Sequence, residues 1–120
     1  MIFITHDIAA AKYIADRIAV MYCGEVVETG RADDVLNNPQ HPYTKGLIAS
    51  MPSRGFKVMK GFMTSFQELP KGCRFSDRCE QLNENCTKAE PKLTELNDGH
   101  AVKCFNCNNF DREEGAKLCC

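Results

Sequence analysis

Residues 18–30 read Ile18-Ala19-Val20-Met21-Tyr22-Cys23-Gly24-Glu25-Val26-Val27-Glu28-Thr29-Gly30. Ile18–Tyr22 and Glu25–Glu28 are short runs rich in β-branched residues. The Cys23-Gly24 step between them is a two-residue turn signal, so the stretch is expected to fold as a β-hairpin ended by Gly30. Toward the N-terminus, Ile8, Ala11, Ile14, Ala15 and Ile18 recur at helical spacing, with Lys12, Asp16 and Arg17 on the other side. That spacing predicts an amphipathic helix ahead of the hairpin, capped by the Asp7 carboxylate. Met1 to Thr5 is apolar and β-branched without polar alternation, the pattern of a buried strand. Toward the C-terminus, Arg31–Leu36 suits a short helix broken by Asn37-Asn38-Pro39. Pro42 fits the first turn of a further helix, where its missing N–H is no loss. Leu47, Ile48 and Met51 would form that helix's packing face, and Pro52 stops it. The fold class is α/β.

Beyond Pro52 the pattern weakens. Residues 53–66 carry two glycines, scattered basic residues and no clear period, and read as a connecting segment with room for one short strand. From Pro70 the chain becomes a loop-rich, cysteine-bearing module, and after Cys104 a polar tail. Of 120 residues 43% are hydrophobic, and 15 basic against 16 acidic residues leave a formal charge of -1. That composition suits a globular chain and gives no reason to expect a nucleic-acid partner or an anionic membrane surface. The most apolar stretch, Ile8 to Cys23, is interrupted by Lys12, Asp16 and Arg17 and does not make a spanning helix. The first residues lack the basic region of a secretory signal, so a cytosolic location is the default. There are eight cysteines; Cys23 stands apart and the others begin at Cys73. In a reducing cytosol such a group points to metal binding rather than disulfides.

The segments also follow a recognisable order. Ile2-Phe3-Ile4-Thr5-His6-Asp7 resembles the switch-histidine segment of ABC-transporter ATPases, a strand ending in T-H-D. Ala15-Asp16-Arg17-Ile18-Ala19-Val20-Met21-Tyr22, the glycine turn and Val26-Val27-Glu28-Thr29-Gly30 continue that likeness in the same order. His41-Pro42-Tyr43-Thr44 is similar to the C-terminal extension of the peptide-transporting branch. Gly72-Cys73-Arg74-Phe75-Ser76-Asp77-Arg78-Cys79, Cys86 and Gly99-His100-Ala101-Val102-Lys103-Cys104 resemble the cysteine module that follows there, of form G-C-x-F-x-x-R-C. The likeness covers roughly positions 1 to 105.

The resemblance implies the C-terminal fragment of an ABC-type nucleotide-binding domain followed by a small loop-rich cysteine module. The expected division is 1–36 as the end of the ATPase core and 37–69 as the H-P-Y-T helix and connecting segment. An iron–sulfur-type module would occupy 70–105 and a disordered polar tail 106–120. By resemblance His6 is the catalytic residue, a donor toward a γ-phosphate and its attacking water; a histidine ending a strand with no ligand is the plain alternative. The phosphate loop G-x-x-x-x-G-K-[ST], the glutamine loop, the L-S-G-G-Q signature and the magnesium-binding strand are absent from these 120 residues. ATP and Mg are therefore expected only in an intact parent, and His6 is expected to be idle here.

The resemblance assigns Cys73, Cys79, Cys86 and Cys104 to a 4Fe–4S cluster, for which four thiolates are a suitable set. Zinc is the rival, although its sites favour paired spacings of two to four residues, which only Cys104 and Cys107 show. Lys71, Arg74, Arg78 and Lys103 could offset the charge of a thiolate cluster, and Phe62, Phe66, Phe75 and Phe105 could cover it. His41 reads as a loop or cap residue and His100 as structural, while Cys23, Cys107, Cys119 and Cys120 lie outside the ligand pattern. The implied parent is the ATP-binding subunit of a dipeptide/oligopeptide importer on the inner face of the cell membrane. Its partners would be permease subunits, a second ATP-binding subunit and, indirectly, short peptides. A free-standing metal-binding or interaction module, or a gene remnant, is the alternative.

Overall fold

The computed structural model describes residues 1–52, 55, 67–68, 70–79, 84–97 and 99–104. The expected hairpin forms: β1 (Arg17–Tyr22) and β2 (Glu25–Arg31) pair antiparallel, from Arg17 opposite Arg31 to Tyr22 opposite Glu25. Its turn places Cys23 at φ 49° and Gly24 at φ 80°. Two successive left-handed residues match the strand twist, and for cysteine that conformation is uncommon. The register slips between Val20 and Met21: Val20 faces Glu28 and Met21 faces Val26, leaving Val27 as the extra residue. The slip breaks the alternation, so Val27 and Glu28 are both buried.

Helix α1 (Ile8–Ile14) precedes the hairpin, and Asp7 caps it as expected, accepting from the N–H groups of Ala9 at 2.9 Å and Ala10 at 3.2 Å. α2 (Ala32–Asn37) follows and rests on the hairpin through Ala32, Val35 and Leu36. α3 (Pro42–Ala49) begins with Pro42 in its first turn, as its missing N–H favours. Its buried residues are Thr44 and Ile48, so of the expected packing face only Ile48 is fully covered.

Met1–Thr5 departs from expectation. The segment forms no strand, and Met1, Ile2 and Ile4 are almost wholly exposed. A strand needs a hydrogen-bonded neighbour, and none is offered to it among the described residues.

The cysteine region contributes a 3₁₀ turn (Ser76–Arg78), α4 (Glu84–Lys88), β3 (Thr94–Asn97) and β4 (His100–Val102). β4 pairs antiparallel with β2, Glu28 opposite Val102 and Thr29 opposite Ala101. One sheet in the order β1-β2-β4-β3 therefore carries both the hairpin and the end of the cysteine region. The β3–β4 connection is secured by the Arg17 guanidinium, which donates to the Gly99 carbonyl at 3.0 Å. The expected connecting segment lies largely outside the described residues, as do Phe62, Phe66, Phe105, Cys107, Cys119, Cys120 and the whole 106–120 tail. No described helix is long and apolar enough to cross a membrane.

Candidate functional site

The densest chemistry lies where the hairpin tip, the start of α3 and the cysteine loop meet. Tyr22, Val27 and Phe75 form a buried cluster, and Val20, Cys23, Tyr43, Cys73 and Cys79 pack around it. The Phe75 ring meets Tyr22 edge-on at 5.2 Å and His41 at 5.5 Å. Of the aromatic residues expected to cover the cysteines, Phe75 is the one described, and it does so. The Arg78 guanidinium lies 5.9 Å from the Tyr22 ring and 5.8 Å from that of Phe75, within cation–π reach.

Cys73 is held against Cys86 by a hydrogen bond from its N–H to the Cys86 carbonyl at 2.7 Å. The glycine before it is required by that approach. A Cβ on Gly72 would run into the carbonyl oxygen and carbon of Cys86. Burial pushes the Cys73 thiol up to about 11; the Phe75 N–H works against the rise, Cys86 and Cys79 add to it, and the Lys103 charge opposes it. Three of the four expected ligands are thus electrostatic neighbours. Cys104 is buried with Val102, against Leu96. Among the described residues no disulfide forms, and no three His, Cys, Asp or Glu side chains converge in metal-holding geometry.

Two of the basic residues beside the cysteines have carboxylate partners. Arg74 pairs with Glu25 at 3.3 Å and Glu90 at 3.7 Å, and Lys103 with Glu25 at 2.8 Å and Glu90 at 3.3 Å. Arg74 also donates to the Cys23 carbonyl at the hairpin tip. These pairs fasten the cysteine region to β2. Lys103 still acts on the Cys73 thiol, opposing its upward shift, while both cations also answer the two carboxylates. Lys71 is exposed. The small cleft between His41, Cys73, Arg74 and Lys103 has about 10 Å³ of free volume, room for no more than a water.

The two buried histidines serve structure. His41 caps α3, its Nδ1 accepting the Tyr43 N–H at 3.0 Å, as a cap residue should. Burial, then the nearby Lys45 charge, lower its pKa to about 3 against a weaker pull from the Lys103 backbone, so the ring is neutral. Its Nε2 makes no well-formed hydrogen bond among the described residues, the Lys103 backbone being the polar group near it. His100 is also buried, and its Nε2 lies 2.6 Å from Glu28 Oε1. Glu28 is fully buried and accepts in addition from the Gln40 N–H through Oε1 and the His41 N–H through Oε2, both at 2.9 Å. Sequence reasoning passed over Glu28, because a glutamate in a strand reads as solvent-facing; its place beside the bulged residue Val27 was the missing signal. His6, by contrast, is exposed just ahead of the Asp7 cap.

Residues 27–86 match the model of the oligopeptide/dipeptide transporter C-terminal region. The oligopeptide transport ATP-binding protein AppD of Bacillus subtilis is 38% identical over 98% of this chain and 36% of its own length. The oligopeptide transport ATP-binding protein OppF of Haemophilus influenzae is 38% identical and its dipeptide transport ATP-binding protein DppF 36% identical, each over 88% of this chain and 34% of its own length. The chain spans about a third of the length of these relatives. The matched segment runs from the buried bulge of β2 through the H-P-Y-T helix to Cys86, half of the 120 residues, and the chain belongs to the oligopeptide/dipeptide transporter C-terminal-region family.

Proposed function

We propose that these residues form the C-terminal part of the ATP-binding subunit of a peptide importer, and that alone they do not hydrolyse ATP. The reading is carried by one observation: the family match at 27–86 is preceded by the T-H-D segment, in 120 residues without a G-x-x-x-x-G-K-[ST] loop. Within an intact subunit, His6 would face the γ-phosphate, and Mg and ATP would be held by residues outside this chain. The assembly would sit on the cytoplasmic face of the membrane with permease subunits and a second ATP-binding subunit, and short peptides would be its cargo. The exposed apolar residues Ile2 and Ile4 support a segment made to be covered within that larger body. The test is ATP turnover by this chain beside a His6→Ala control. Equal, background rates are expected, and turnover abolished by that substitution would overturn the reading.

Cys73, Cys79, Cys86 and Cys104 are the proposed ligands of a 4Fe–4S cluster, with zinc as the rival. The donor chemistry supports the set: four thiols, with Cys79 and Cys86 near enough to act on Cys73 and the Phe75 N–H directed at Cys73. Binding would have to draw the sulfurs together, since no three described donors converge. With all four thiolates engaged no coordination site stays open, so a structural staple for a loop-rich region is the role that fits. Anaerobically purified protein should be brown, and Cys73→Ser should bleach it. Colourless protein with stoichiometric zinc would favour the rival.

A further inference from the structure

We propose that Glu28 is a three-way joint through which the H-P-Y-T segment and the cysteine region are coupled, so that loosening one loosens the other. The carboxylate stands on β2 between two parts of the chain, the H-P-Y-T segment and the cysteine region. From one side come the backbone N–H groups of Gln40 and His41, the residues that lead into α3. From the other comes His100 of β4, 72 residues further on. Gln40 N–H and His100 Nε2 meet the same oxygen, Oε1, at 2.9 and 2.6 Å. All members are at most 3% exposed.

A carboxylate buried this fully is tolerated only while its lone pairs are used, and each donor holds the oxygens where the others need them. The coupling is therefore reciprocal. Gly30, two residues along on the same face of β2, completes the joint. A Cβ there would come within 3.3 Å of the His100 Cα and ring Cδ2 and 3.1 Å of Val35 Cγ2. The glycine is thus the space into which the histidine fits. No proton movement is required, and the joint does not depend on a metal or a nucleotide.

Hydrogen exchange on the full chain tests this, read at the Gln40 and His41 amides on one side and Ala101 to Lys103 on the other. His100→Leu keeps bulk and loses the donor; His100→Gln keeps a donor. With the joint, His100→Leu speeds exchange at Gln40 and His41 about tenfold or more, the scale of one hydrogen bond to a charged group, while His100→Gln stays within about threefold of the parent. Confinement of the His100→Leu effect to Ala101–Lys103 would overturn the proposal, as would equal effects of Leu and Gln. Should His100→Leu fail to fold, Glu28→Gln decides: it leaves one acceptor oxygen, and both sides should loosen together. Loss on one side alone would again overturn it.

Discussion

The N-terminal fourteen residues and the joint around Glu28 invert each other. In the first, Met1, Ile2, Ile4, Tyr13 and Ile14 are large, apolar and exposed. In the second, the largest fully buried side chains are His41, His100 and Glu28. Apolarity predicts burial only where a complementary surface exists; a polar group is buried safely only where its partners are already in place. The N-terminal segment has the composition of a core and lacks the surroundings. The joint has the composition of a surface and is surrounded by donors. The two regions should therefore answer substitution in opposite ways: a single methyl group matters in one, and whole side chains are dispensable in the other.

The largest effect is expected from Gly72→Ala. The added methyl would meet the backbone of Cys86 rather than the end of a flexible side chain, so the Cys73–Cys86 hydrogen bond must break or the loop must shift. Overpacking of this kind costs about 3 kcal/mol, at the upper end of the usual range. In a small chain that is a large part of the total stability. Urea unfolding with and without the substitution checks it. A midpoint within error of the parent would mean that Cys73 and Cys86 are not apposed in solution.

A middle effect, with a defined pH window, is expected at His41. Its folded pKa of about 3 lies below the ordinary histidine value near 6.5, so the fold favours the neutral ring. Its contribution is fully present above the unfolded value. As pH falls from about 6.5 toward 3, the unfolded chain takes up a proton that the folded one refuses, and stability drops by at most about 1.4 kcal/mol per pH unit. Asparagine at this position keeps a cap acceptor for the Tyr43 N–H and cannot titrate. His41→Asn should therefore flatten the acid limb between pH 6 and 4 in a series of urea melts. An unchanged limb would assign it to the carboxylates instead.

What the sequence made legible follows the same line. The Asp7 cap, the Cys23-Gly24 turn and Pro42 in the first turn of α3 each rest on residues within a few positions of one another, and all three formed. The pairing of β4 with β2 and the Glu28–His100 contact join residues more than seventy positions apart, and no local pattern encodes them. The cysteine spacing singled out four residues. Which of them lie together depends on the close approach at Gly72, a consequence of tertiary packing. Met1–Thr5 failed for the complementary reason: its local pattern was that of a strand, and strand formation depends on a partner the pattern does not contain.

The smallest effect on stability is expected at that segment. Ile2→Ser with Ile4→Ser removes two side chains that are 92% and 90% exposed, so little burial is lost on unfolding. The change in unfolding free energy should stay within about 0.5 kcal/mol, the usual range for surface substitutions. The visible consequence lies elsewhere. Contiguous exposed apolar residues promote self-association, and replacing two of them should raise the concentration at which light scattering appears. The two readouts separate the possibilities. Improved solubility at constant stability places Met1–Ile4 outside the packed body of this chain. A loss above about 1 kcal/mol would show that the segment finds a surface of its own, and the contrast with the Glu28 joint would collapse.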